Sequence, residues 1–175
     1  MKSARIWLGL LLLLPIAAGA QNYGSDDDSA SRRAGADAPL TFPAYPKAEN
    51  YLPFEVNPVT PFTFFIDAKS ISVADGVVRF TLIAKSPHGA QNVSYEGIRC
   101  ADEMYRVYAY GRDDHTWLKL RDSRWRPIPV DPRNSQRNVL YDNYFCPTSS
   151  ADVRNVQDAV NALKRGGNPG ASTNY

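Results

Sequence analysis

Between Phe62 and Leu120 the chain is written in short apolar runs, several with a period of two, separated by polar turns. A helix cannot bury such a pattern, because its faces recur near 3.6 residues, whereas a strand sends successive side chains to opposite faces. Phe62–Asp67 reads as a short aromatic strand and Asp75-Gly76 as a turn. Val78, Phe80, Leu82 and Ala84 then alternate with Arg79, Thr81, Ile83 and Lys85, which predicts a half-buried strand. Pro87-His88-Gly89 turns the chain into a strand from Val93 to Cys100. Met104–Tyr110 follows, with Tyr105, Val107 and Ala109 on one face and Arg106, Tyr108 and Tyr110 on the other. The polar stretch Gly111–His115 leads into Thr116–Leu120. Strands joined by short polar turns predict an antiparallel meander.

The segment before these strands obeys another rule. Pro39, Pro43, Pro46, Pro53, Pro58 and Pro61 fall within 23 residues. Each removes a backbone donor and fixes φ, so neither a long helix nor a central strand forms here. The rings of Phe42, Tyr45, Tyr51 and Phe54, with Leu52, are expected to pin an extended segment across the domain; such a strip also suits partner docking. After the strands the pattern turns helical. Val153, Val156, Val160 and Leu163 recur at helical spacing, Ser149 and Asp152 are placed to cap the start, and Gly166 supplies the stop. A shorter helix within Asn134–Tyr144 would carry Val139 and Leu140 inward. The fold class that results is α+β: an antiparallel sheet covered by a C-terminal helix.

Lys2 and Arg5 precede an uncharged apolar run, Ile6–Leu14, ended by Pro15 and followed by Ala18-Gly19-Ala20. That layout predicts a secretory signal peptide over residues 1–20, cleaved after Ala20. The run is too short to cross about 30 Å of hydrocarbon. The chain's cysteines are Cys100 and Cys146, neither at the processing site, so no lipid anchor is expected and no membrane span. Residues 21–39, with Asp26-Asp27-Asp28 before Arg32-Arg33, have almost nothing to bury and read as a disordered linker. Residues 166–175 read as a disordered tail, which leaves a single folded domain over 40–165. In an exported chain the even pair Cys100 and Cys146 predicts a disulfide; a redox role lacks the CxxC spacing.

Charge bounds the partners. The precursor has 20 basic and 18 acidic side chains, and loss of Lys2 and Arg5 leaves a neutral mature chain. Neutrality leaves no electrostatic footprint for nucleic acid.

Candidate chemistry is sparse. His88 and His115 both sit in predicted turns, without metal-ligand spacing to each other or to a cysteine, so no metal and no cofactor is expected. Asp113-Asp114-His115 reads first as a turn whose aspartates bond their own backbone. No G-x-S-x-G elbow and no phosphate-cradling glycine loop occurs, and no catalytic residue is assigned. A carboxylate pair has no spacing signature, so Glu96 with Asp102 or Asp142 stays open as a hydrolase site, Glu103 being a further carboxylate at hand.

Ser94-Tyr95-Glu96-Gly97-Ile98-Arg99-Cys100 is the most distinctive stretch. Gly97 inside a strand suggests a bulge or close backbone approach. Glu96 falls on the face of Ile98 and Cys100 and needs a cation, with Arg106 or Arg126 the expected partner. Tyr108, Tyr110, Trp117 and Trp125 with Arg106, Arg112, Arg124 and Arg126 are the residue types of interfaces and of sugar or peptide sites. The ligand or partner surface is therefore sought among Glu96, Arg99, Tyr108, Tyr110, Trp117, Trp125 and Arg126. Packing of the rings between sheet and helix is the competing expectation.

Tyr45-Pro46-Lys47, Pro53-Phe54, Val93 to Cys100, Tyr108-Ala109-Tyr110-Gly111, Trp117, Trp125-Arg126-Pro127-Ile128 and Tyr144-Phe145-Cys146-Pro147 together resemble the cryptic neisserial protein family. The resemblance runs from about Tyr45 to Arg165 and includes both cysteines. It implies a small exported, periplasmic α+β domain of Gram-negative bacteria, and it carries no catalytic residue over. The expected function is a non-catalytic binding or protein-interaction module of the cell envelope, with an envelope protein or cell-wall component as partner. A cell-wall hydrolase, and a structural or stress-related protein without a ligand site, are the alternatives.

Overall fold

Asp75 and Gly76 both take positive φ, 54° and 71°, and form the tight turn between β2 (Thr63–Ala74) and β3 (Val77–Lys85). Such turns match the twist of an antiparallel pair, and glycine reaches this conformation without strain. The computed structural model describes residues 40–56, 60–129, 135–148 and 152–171; the segments expected to be a signal peptide, 1–20, and a linker, 21–39, lie outside them. Among the described residues seven strands form a single sheet. β1 (Tyr51–Phe54), β2, β3, β4 (Gln91–Arg99), β5 (Met104–Gly111) and β6 (Trp117–Lys119) follow in sequence order, each antiparallel to the last. β7 (Arg126–Pro127) pairs with the first residues of β5. The meander and the α+β class read from the sequence are both present. No helix among the described residues is long and apolar enough to cross a membrane.

The proline-rich segment supplies an edge rather than a centre. β1 carries Pro53 within it and stands first in the sheet, where a missing N–H costs least. Residues 40–47 precede it without regular structure, and Leu40 and Phe42 pack on Tyr95, Tyr108, Ala109 and Trp117. Trp117 Nε1 donates to the Pro43 carbonyl at 2.9 Å, and Tyr45 lies 4.8 Å from His115, ring to ring.

Several strands depart from the pattern read above. β2 continues to Ala74, beyond the expected end at Asp67, because an irregularity interrupts its alternation. Asp67 opposes Thr81 and Ser72 opposes Arg79, so residues 68–71 face Phe80 alone. Ser70 stitches this excursion, its hydroxyl donating to the Asp67 carbonyl and accepting from the Thr81 N–H, both at 2.7 Å. β3 is buried on both faces rather than one. Val78, Phe80 and Leu82 enter the main core, while Val77, Thr81 and Ile83 are covered on the opposite side.

The helical layer lies over the first face. α1 (Ser135–Val139) runs into a π-helical turn, Leu140–Phe145, which buries Leu140, Tyr144 and Phe145. α2 (Val156–Arg165) buries Ala159, Ala162 and Leu163. Its cap is Asn155, whose side chain accepts from the Asp158 N–H; the helix begins later than the Ser149–Asp152 signal implied, and Ser149 itself lies outside the described residues. Val156 is consequently exposed rather than core. Gly166 ends α2 at φ 75°, as expected. Beyond it Asn168 returns to the helical layer, its N–H donating to the Asn143 carbonyl at 2.7 Å. Cys100 and Cys146 form the disulfide, joining the end of β4 to the end of the π turn.

The β2 irregularity buries Asp67, and loss of water holds its carboxyl above the usual range, against the Lys69 N–H and ammonium that pull it down. A carboxyl raised in the folded state favours folding below its unfolded value, near 3.8, and that contribution is lost as pH climbs through the folded value. At neutral pH the charged Asp67 is therefore destabilising. Asp67→Asn keeps an oxygen for the Lys69 N–H, and we expect it to unfold at higher urea than wild type at pH 7. The gap should close below pH 4; an equal midpoint at pH 7 would contradict this.

Candidate functional site

β5 organises the site through one extra residue. Tyr95 opposes Ala109 and Glu96 opposes Val107, so Tyr108 has no opposite number on β4. This bulge shifts the alternation: Tyr105, Val107 and Tyr110 share the face of Glu96, while Arg106, Tyr108 and Ala109 take the other. The even alternation read from the sequence had placed Ala109 and Tyr110 the other way round. Gly97, opposite Arg106, answers the expectation of close approach. A Cβ there would meet Tyr108 Oη at 2.9 Å and Val77 Cγ1 at 3.1 Å.

On the Glu96 face the cation is neither Arg106 nor Arg126. Arg137, on α1, donates Nε to Glu96 Oε2 at 2.7 Å and Nη2 to Oε1 at 2.8 Å. The Ser94 hydroxyl adds a third bond to Oε1 at 2.6 Å. Glu96 is 1% exposed and the Arg137 side chain 13%. The guanidinium also lies 4.5 Å above the Tyr105 ring. Burial alone would depress the Arg137 pKa; the Glu96 charge and hydrogen bonds more than offset this and hold it above its ordinary value. Arg137 was not singled out in the sequence. Its signal was there: it precedes Leu140 by three residues, and so shares the inward face of the expected short helix.

Beside this pair a cleft of about 140 Å³ opens between β5, β7 and the loop 120–125. Tyr105, Val107 and Tyr110 enter it from β5, Arg126 from β7, and Arg124 and Arg137 complete its basic lining. Arg124 pairs with Asp122. Arg126, by contrast, has no acidic partner among the described residues, although it stands opposite Tyr105 in the ladder. Five residues further along β5, Tyr110 faces Leu118 of β6, the two being 45% and 43% exposed. Guanidinium groups beside phenols and an apolar lip can grip an anion through charge-assisted hydrogen bonds.

The residues sought from the sequence divide between the two faces. Tyr110 and Arg126 line the cleft, and Glu96 lies next to it, held by Arg137. Trp125 is stacked against Arg99 at 4.4 Å, near Arg106 at 6.0 Å, and meets Tyr108 edge-on. Arg99 is also paired with Asp102 at 2.6 Å. Tyr108 and Trp117 pack with Tyr95 on the face opposite the helices, beneath Leu40 and Phe42, not between sheet and helix. In the Asp113–His115 turn, Asp114 accepts from the Thr116 hydroxyl and N–H, which hold its carboxyl below the usual range. No group of His, Cys, Asp and Glu among the described residues is arranged to hold a metal ion.

Fold and bridge together define a class: a small α+β domain, a meander sheet fastened to its helical layer by one disulfide, which fits an oxidising, exported compartment. The chain belongs to the CNP1-like family, which matches residues 32–164. It is similar to Cryptic neisserial protein 1 of Neisseria gonorrhoeae (strain ATCC 700825 / FA 1090), with 32% identity over 85 residues, 41% of each chain. The match thus spans about two fifths of that relative's length. No solved structure matches.

Proposed function

We propose that this protein is a non-catalytic binding module of the periplasm, and that the cleft between β5 and β7 receives an acidic group of an envelope protein or cell-wall component. The observation that carries this reading is Arg126, a guanidinium without an acidic partner among the described residues, beside Arg124, Arg137 and two tyrosines. Export is supported by the Lys2/Arg5–Ala20 pattern and by the disulfide. The carboxylates of the hydrolase alternative support catalysis less well. Glu96 is committed to Arg137 and Ser94, Asp102 to Arg99, and Asp142 accepts from Asn138 at 2.7 Å. None of the three lines the cleft.

Peptide and glycan arrays probed with labelled protein test the reading. Spots bearing carboxylate or other anionic groups should bind, and Arg126→Glu should lose them while keeping the wild-type unfolding midpoint, since Arg126 is exposed. No spot above background overturns it in favour of a structural role, and the same spots bound by both proteins overturn the assignment to this cleft.

A further inference from the structure

Deepening that reading, on which this inference rests, we infer that the group taken by the cleft is a single carboxylate carried on an apolar or aromatic stem. Charge sets the first limit. Among the described residues, Arg124, Arg126 and Arg137 are opposed by Asp122 and Glu96, which leaves one net positive charge. A carboxylate neutralises it. A phosphate monoester brings about −1.5 to −2 at pH 7, and Asp122 in the lining opposes the excess.

Shape sets the second limit. The cleft of about 140 Å³ has room for a small planar group and the first atoms of its stem. The Arg126 guanidinium, without an acidic partner among the described residues, is a planar fork that meets the two oxygens of a carboxylate with two parallel N–H bonds. The walls set the third. Val107 and Leu120 line the cleft with apolar surface, and the exposed Tyr110–Leu118 pair extends that surface along the sheet. An anion without a stem leaves this lip in water, whereas an aryl or alkyl stem covers it and gains apolar burial. The same chemistry occurs in a free organic acid and at the C-terminus of a polypeptide ending in an apolar residue.

Titration of the isotope-labelled full chain, followed through backbone amide shifts, separates these cases. The probes are hydrocinnamate, its neutral amide, phenethyl phosphate, and a short peptide ending in phenylalanine with a free carboxylate. Hydrocinnamate or the peptide should saturably shift the amides of Tyr110, Leu118 and Arg126, with the neutral amide and the phosphate each at least about tenfold weaker. Arg126→Ala should abolish the shifts, and Arg126→Lys should restore only part, since an ammonium keeps the charge without the fork. A peptide about tenfold tighter than the small acid assigns the source to a polypeptide terminus; equal affinity assigns it to an organic acid. Phosphate bound as tightly as carboxylate overturns the inference and leaves the anion site standing. Neutral amide bound as tightly as the acid overturns both. Absence of any shift overturns the inference, with the array result then deciding whether another acidic group occupies the cleft.

Discussion

Arg137→Ala should cost about 3–5 kcal/mol, the range for breaking a buried ion pair from one side. The reason is what remains. Glu96 keeps the Ser94 hydroxyl, but loses two charge-assisted bonds at a site that is 1% exposed. Water entering from the cleft replaces only in part the paired, charged donors that the guanidinium supplied. Against a total stability of about 5–15 kcal/mol, such a loss is a large fraction of the whole. Urea unfolding monitored by tryptophan fluorescence would read it as a lowered midpoint. A loss below about 1 kcal/mol would mean that the carboxylate finds water or a proton cheaply, contrary to the burial argument.

The double variant Glu96→Leu/Arg137→Met separates the two meanings of the pair. Removing both charges together leaves nothing uncompensated, so its stability should lie well above that of Arg137→Ala. The pair is neutral as a unit, so the cleft keeps its one net positive charge and acid binding should persist; a weakened affinity would give Arg137 a further part in shaping the site. One variant therefore distinguishes a residue that holds the sheet to the helix from one that also shapes the site.

How much of this was legible beforehand depended on range. Turn chemistry is local, and Asp75-Gly76, Pro87–Gly89 and the Gly166 stop all stand where the residues placed them. So does the need of Glu96 for a cation. The identity of that cation is not local: Arg137 lies 41 positions along the chain, on an element whose docking the alternation of β4 does not encode. The bulge at Tyr108 is a second case. Its extra residue becomes visible only when β5 is laid against β4, and it decides that Tyr110 rather than Ala109 shares the cleft with Tyr105. The β2 excursion at residues 68–71 is a third, since Ser70 serves Asp67 and Thr81 through hydrogen bonds that no periodicity announces. Caps fall between these extremes. Ser149 with Asp152 and Asn155 with Asp158 both fit the spacing, and only the second pair stands at the start of α2.

Removal of the disulfide, as Cys100→Ser/Cys146→Ser, should lower stability by about 4 kcal/mol, the chain-entropy figure for a loop of this size. The bridge spans a sequence separation of 46 and constrains the unfolded chain accordingly. Its place in the folded state matters as much. Cys100 opens the short turn after β4, and Cys146 closes the π turn, where its N–H donates to the Tyr141 carbonyl. The Tyr141 hydroxyl returns to the Cys100 carbonyl at 3.4 Å. Disulfide and Glu96–Arg137 pair therefore fasten the same helical stretch to the same strand, at its two ends. Two ties on one element couple rather than add. With the bridge gone, the segment opens more readily, and Arg137→Ala should then cost less than it does in the oxidised protein. The separate losses sum to about 7–9 kcal/mol, and coupling should keep the loss in the combined variant below that sum. Urea titrations of the four proteins close the cycle. Strict additivity of the two effects would show that the helical layer is held elsewhere, and would separate the cleft's integrity from the redox state of the compartment.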